Sequence, residues 1–226
     1  MNLIFGTDFS EPSRQAGEVP AALANRLKDT LWIVHALEHY GLEPLYPAAQ
    51  TAIVADLEQR LDQECERLKS AQSRVRRELI TGGPDEVLIQ KAQVSDTRLV
   101  VVSSLGRSKP GRWLIGSIAE RVAEGCRVPT LVVRESPSLI EWSRNQRPLR
   151  ILCAFDHSAP AEAALSYVRE LRRIGPCEVI VTYANWPPAD KHRLGVPGPV
   201  TLESNRPEIQ AVLERDLREH VATVLG

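Results

Sequence analysis

Five short apolar runs divide the first part of the chain: Leu3–Gly6, Leu31–Ala36, the weaker alternating Val75–Ile80, Leu99–Ser103 and Thr130–Val133. Runs that are aliphatic throughout predict strands buried on both faces, as in a parallel sheet. Between them, apolar residues recur every three or four positions. Ala16, Val19, Leu23 and Leu27 form one such stripe, with Pro20 inside it as a potential kink. Ile53, Leu57, Leu61, Cys65 and Leu68 form a cleaner one, opposite Asp56, Glu58, Arg60, Asp62 and Arg67. Pro84–Gln93 (Val87, Leu88 and Ala92 inward) and Trp113–Glu124 (Ile115, Ile118, Ala119 and Val122 inward) complete the alternation. Strand and helix alternate across five strands. This predicts an α/β domain over residues 1–134: a five-stranded parallel sheet with helices on both faces, right-handed crossovers and strand order 3-2-1-4-5.

Residues 135–148 show no clean period and hold Pro137 and Pro148, so they read as a linker. The chain beyond residue 148 partly repeats the start. An offset of 148 positions pairs Asp8 with Asp156, Ser10 with Ser158, Pro12 with Pro160, Ala16 with Ala164, Leu23 with Leu171 and Ala36 with Ala184, without a gap. The shared D-x-S-x-P and the strand–helix–strand pattern favour duplication. The second copy, residues 149–226, is incomplete. After Val179–Ala184 comes a proline-rich stretch, Asn185–Pro207, and then one helix, Glu208–Val224, with Ile209, Val212, Leu213, Leu217 and Val221 on its apolar face.

Composition narrows the function classes. Lys plus Arg is 28 and Asp plus Glu is 29, so no global charge draws the chain to nucleic acid or anionic lipid. Aromatic residues are only 5%, too few for a platform that stacks single-stranded bases. Cys65, Cys126, Cys153 and Cys177 are far apart, which argues against a zinc site or a disulfide framework. The N-terminus lacks a basic leader, and the longest purely aliphatic run is Leu99–Val102, far short of the roughly 20 residues of a membrane span. The expectation is a soluble cytoplasmic protein without metal ligands.

The chemistry concentrates in residues 103–122, SSLGRSKPGRWLIGSIAERV. This stretch leaves the most aliphatic strand and runs into a helix. Gly106 and Gly116 would let backbone N–H groups approach an anion, and Ser117 and the helix N-terminus would donate to phosphate oxygens. Arg107, Lys109 and Arg112 add positive charge. In the expected strand order, Asp8 and Ser103 end the two strands that flank the switch point, where open α/β sheets bind ligands. Walker-type, dinucleotide-binding, pyrophosphatase and nucleophile-elbow motifs are all missing.

These residues resemble the universal stress protein family, whose phosphate loop reads G-x2-G-x9-G-[S/T]. Here the loop is Ser103-x2-Gly106-x9-Gly116-Ser117, and FGTDFSEPS looks like the family's first strand and turn. The resemblance covers residues 1–134 fully and 149–184 in part. It implies an adenine nucleotide, ATP with or without Mg²⁺, with Asp8 at the base-and-ribose end and Ala36 offering backbone atoms to adenine. Ser103, Ser104, Leu105, Gly106, Arg107, Gly116, Ser117 and Ile118 would surround ribose and phosphates. It also implies a regulatory module in the stress response, with at most slow, incidental ATP hydrolysis. Ser103 departs from the pattern, since a side chain stands where the first glycine belongs.

Plainer roles compete at each position. Asp8 and Ser10 could cap the first helix, the glycines could serve turns, the loop cations could be solvated, and His35 and Trp113 could be structural. The competing function is a dimerisation platform that binds no nucleotide; a slow ATPase or transferase is the third. Because the second half offers no fifth strand, the expected partner is a second copy, paired antiparallel through Thr130–Arg134, unless the linker or the last helix covers that edge.

Overall fold

The computed structural model describes residues 1–38, 47–70, 74–105, 115–184, 195 and 207–226. The chain divides into two compact units, Met1–Gln146 and Arg147–Gly226. In the first, the elements are β1 (Asn2–Gly6), α1 (Glu11–Leu27), β2 (Thr30–Leu37), α2 (Pro47–Leu68), β3 (Arg74–Thr81), α3 (Pro84–Val94), β4 (Thr97–Ser103), α4 (Ser117–Gly125), β5 (Thr130–Val133) and α5 (Pro137–Ser143). All five strands run parallel in the order β3-β2-β1-β4-β5, so the expected topology is the observed one.

The period of two along the strands decides which helix covers which residue. Ile4, Val34, Val100 and Val102 point to one face and pack with Val87, Leu88 and Ala92 of α3 and with Ala119 and Val122 of α4. Leu3, Phe5, Leu31, Ile33 and Val101 fill the other side of the sheet, fully buried. There α1 lies close: a Cβ on Gly17 would stand 2.8 Å from a Phe5 ring carbon, so only glycine fits. Pro20 sits inside α1 and the helix nonetheless continues to Leu27.

Several details differ from the expectation. Residues 135–148 are not a bare linker: α5 forms within them, and its Trp142 is 1% exposed. An indole has a large apolar area to bury, and that outweighs the prolines around it. The helix expected from Trp113 starts at Ser117, because Gly116 takes the N-cap; Ile115 therefore lies before the helix and is exposed. Ile53 and Val212, expected on apolar stripes, are also exposed. The fifth strand spans Thr130–Val133 as expected, so Arg134, the last residue of the expected pairing edge, lies beyond it. Trp113 falls outside the described residues.

The second unit contains β6 (Leu149–Phe155), α6 (Ala159–Ile174), β7 (Cys177–Tyr183) and α7 (Pro207–Leu225), with β6 and β7 parallel. At the offset of 148 its register is that of the first unit: Asn2 faces Thr30, and Arg150 faces Glu178. Ser10 and Ser158 both cap their helices, accepting from Ser13 N and Ala161 N at 3.3 Å. Phe9 and His157 both hold left-handed backbones, at φ 61° and 62°. Each ring meets the ring at the matching place on the next strand, Phe9 on His35 and His157 on Tyr183.

Candidate functional site

At the carboxyl edge of the first sheet, β1 ends with Gly6, which lies between Val34 and Val102. The next residues are fixed by their own polar atoms. Thr7 is buried, and its Oγ1 accepts from Phe9 N and from Ser13 Oγ, both at 3.1 Å. Asp8 Oδ1 accepts from Ser10 N at 3.0 Å and from Ser10 Oγ at 2.6 Å. Ser10 Oγ in turn caps α1. The capping role is therefore real, and Asp8 supports it through Ser10.

These bonds hold Phe9 in the left-handed region, where its ring lies 4.4 Å from the His35 ring. The Arg60 guanidinium stands 4.6 Å from the Phe9 centroid, making a three-layer stack. His35 Nδ1 is 2.7 Å from Thr7 O, and since a carbonyl only accepts, Nδ1 carries the hydrogen. Sequence reasoning missed Phe9 and Arg60: nothing in local propensity marks a Phe for a left-handed turn.

The other wall begins at the end of β4. Ser103 Oγ donates to Leu105 O at 2.6 Å, turning the chain as it leaves the strand. Ser104 is buried, its N–H on Val133 O at 2.8 Å, and its carbonyl accepts from Gly116 N at 2.9 Å. Positions 104 and 116 are thus neighbours. Gly116 is the N-cap of α4 and no side chain caps that helix. A Cβ on Gly116 would come 3.3 Å from Ser104 O, tighter than ordinary contact. The first turn of α4, with exposed Ser117 and half-buried Ile118, presents amide donors and the positive end of the helix dipole.

Asp8 and Ser103 thus leave adjacent strands at the point where the order reverses, and Ser104, Gly116, Ser117 and Ile118 cluster beside Ser103. Ala36 is half-buried on β2, paired with Ile80. Gly106 and Arg107, together with Lys109 and Arg112, lie outside the described residues. Behind the site, Asp85 of α3 accepts from Arg121 of α4, with Nε at 2.6 Å and Nη2 at 3.3 Å. The Arg121 hydrogen bonds hold the Asp85 carboxyl below its ordinary range. Among the described residues no group of three His, Cys, Asp or Glu is placed to hold a metal, and no helix is long and apolar enough to cross a membrane.

Residues 1–134, more than half of the chain, match the model described as the universal stress protein family. The chain belongs to the universal stress protein family. A universal stress protein of Mycobacterium tuberculosis is 31% identical over 140 residues, a match covering 59% of this chain and 45% of that protein. This chain thus spans less than half the length of the curated relatives first matched. A universal stress protein from Archaeoglobus fulgidus shares the fold over 86% of this chain and 71% of its own, with a TM-score of 0.62 at 19% identity. The universal stress protein UspA of Lactobacillus plantarum matches 59% of this chain and 97% of its own, with a TM-score of 0.53 at 19% identity.

Proposed function

We propose that the first unit binds an adenine nucleotide, ATP in the first instance, at the β1/β4 switch point, as a cytoplasmic regulatory module of the stress response. The observation that carries this reading is the Ser104–Gly116 bond. It sets the N-terminus of α4, which has no side-chain cap, against the end of β4, the strand next to β1 and Asp8. Uncapped amides on a helix dipole suit a phosphate. Gly116 keeps the approach clear, and Asp8, whose Oδ1 holds Ser10, follows the neighbouring strand β1, where a ribose hydroxyl would meet its carboxylate. Magnesium would enter through the nucleotide's phosphates. The chain's own residues would bind and orient. Asp8 is engaged in shaping the α1 entry rather than aimed as a general base, so turnover would be slow and incidental.

The repeated register, cap and left-handed residue support descent of the second unit from the same domain by duplication, as in a tandem protein. That unit keeps Asp156, whose carboxyl is held low by Ser158, but among the described residues it shows no counterpart of β4 and α4. Calorimetric titration of the full chain with ATP tests the reading. One site per chain is expected, and two sites or no heat at millimolar ATP would overturn it.

One observation favours the platform reading. The Ser103 hydroxyl turns back onto Leu105 O where the family loop opens with glycine. If that turn shuts the site, Ser103→Gly will gain ATP binding that the natural chain lacks.

A further inference from the structure

The two strands of the second unit have unlike faces. Ile151, Cys153, Phe155, Val179 and Val181 pack inward with Leu165 and Val168 of α6 and Leu217 and Val221 of α7. The alternate residues all point outward and are exposed: Arg150, Leu152 and Ala154 on β6, Glu178, Ile180 and Thr182 on β7. The register sets them in three cross-strand pairs, Arg150 with Glu178, Leu152 with Ile180 and Ala154 with Thr182. Leu152 is 70% exposed and Ile180 61%.

The same face of the first unit is covered. Its matching pair is Ile4 with Trp32, and Ile4 is fully buried in the cluster that includes Val87 and Leu88 of α3. A Cβ on Gly6 would run into Leu88 at 2.6 Å, so that helix sits directly on the strands. Among the described residues the second unit has no counterpart of α3, and β6 and β7 pair only with each other. Leu152 and Ile180 thus form an exposed aliphatic pair at the centre of a face whose counterpart in the first unit is buried. Two strands alone are also marginal as a sheet.

We propose that this face docks on the same face of a second copy of the chain, about a two-fold axis parallel to the strands. The charges select this occupant. Under that operation β6 lies over the partner's β7, so Arg150 meets the partner's Glu178, Leu152 meets the partner's Ile180 and Ala154 meets the partner's Thr182. Each pairing occurs twice, which is the self-complementarity an isologous interface requires. Arg150 and Glu178 already stand 3.8 Å apart within one chain, and the copy would complete a four-charge cluster around a dry aliphatic centre. Sheets stacked in this way lie about 10 Å apart with strands nearly aligned. Six side chains per copy make a small interface, so the association is micromolar or weaker. An amphipathic helix of another protein is the rival occupant. It would not require the face to complement itself.

Sedimentation equilibrium of the full chain tests this, in a Val132→Pro background that disables pairing through β5. The chain should dimerise with rising concentration. Arg150→Glu and Glu178→Arg singly should each weaken the dimer at least tenfold, because like charges then meet across the axis. The two together on one chain should restore it. All these positions are exposed, so circular dichroism should not change; the unfolding midpoint should fall only slightly in the single reversals, which lose the intrachain Arg150–Glu178 pair, and recover in the double reversal. If Val132→Pro impairs folding, the same comparison is read as a loss and recovery of mass in the natural chain. A chain that stays monomeric, single reversals that associate normally, or a double reversal that stays monomeric would each overturn the proposal. None of these outcomes depends on nucleotide, so this inference stands or falls separately from the ATP reading.

Discussion

Replacing Gly116 with Asp should move stability and nucleotide binding in opposite directions. Gly116 has φ −63° and ψ 145°, a backbone any L residue adopts, so the substitution carries no conformational strain. The new Cβ would stand 3.3 Å from Ser104 O and must yield a few tenths of an ångström. Against that, Asp at an N-cap is better than Gly by a few tenths of a kcal/mol. Its charge at the positive end of α4 adds about 0.3–1 kcal/mol. The net is about zero to 1 kcal/mol of stabilisation, or up to about 4 °C in a chain of this size. For the ligand the same carboxylate takes the amides that a phosphate would use and places a negative charge roughly 5 Å from it. At an effective dielectric constant of about 20, that repulsion is about 3 kcal/mol, on the order of a hundredfold in affinity. Thermal unfolding with and without ATP reads both effects. With ATP at about 100 times its dissociation constant, the natural protein should gain about 2.7 kcal/mol, and the variant about 0.4 kcal/mol. An ATP-induced shift of equal size in both proteins would refute the placement of the phosphates at α4. A variant less stable by more than about 2 kcal/mol would refute the geometry assigned to the cap, because no term above is that large.

Three further outcomes are expected. Pro129 O and Val133 O accept from β4, which turns the backbone of Thr130 and Val132 outward; Val132→Pro should therefore spare the β4–β5 ladder yet lower the average mass seen by light scattering, and an unchanged mass would exclude assembly through that edge. Trp142→Ala should cost about 3–5 kcal/mol in thermal unfolding, and Trp142→Phe should cost clearly less, because it keeps an aromatic ring and removes the Nε1 that is buried without a partner. Asp85 is held below its ordinary value of 3.8 by Arg121, so the pair contributes fully above that pH and fades as pH falls below it. The gap in unfolding midpoint between the natural protein and Asp85→Asn should accordingly close on acidification, and a gap that persists at pH 2 would show that the pair is not its source.

The sheet was legible because buried parallel strands are aliphatic on both faces, and Leu31–Ala36 and Leu99–Ser103 fit no other element as well. Helix faces were legible where the stripe was long, as at Leu57, Leu61 and Leu68. Where a stripe ran past its contacts it misled: Ile53 fits the period but stays exposed, since periodicity reports which residues share a face and not how far the partner surface extends. Residues 135–148 were misread for the converse reason. A helix of two turns has too few positions to show a period, and the burial of Trp142 depends on a surface distant in sequence. Within the site, Asp8, Ser103 and Gly116 could be placed from motif spacing and topology. The Phe9–His35–Arg60 stack could not, because it depends on a left-handed backbone imposed by Thr7 and Asp8.

The bond between Ser104 and Gly116 also acts as a clasp between strand and helix. Ser104 is the residue after β4 and Gly116 the residue before α4, and their backbones meet at 2.9 Å although they stand far apart in sequence. The placement of α4 against the end of β4 is therefore set by this contact and not by the length of chain between them. Lengthening a connection costs only about 0.6 kcal/mol per doubling, so residues inserted between the two anchors should leave the sheet's stability nearly unchanged.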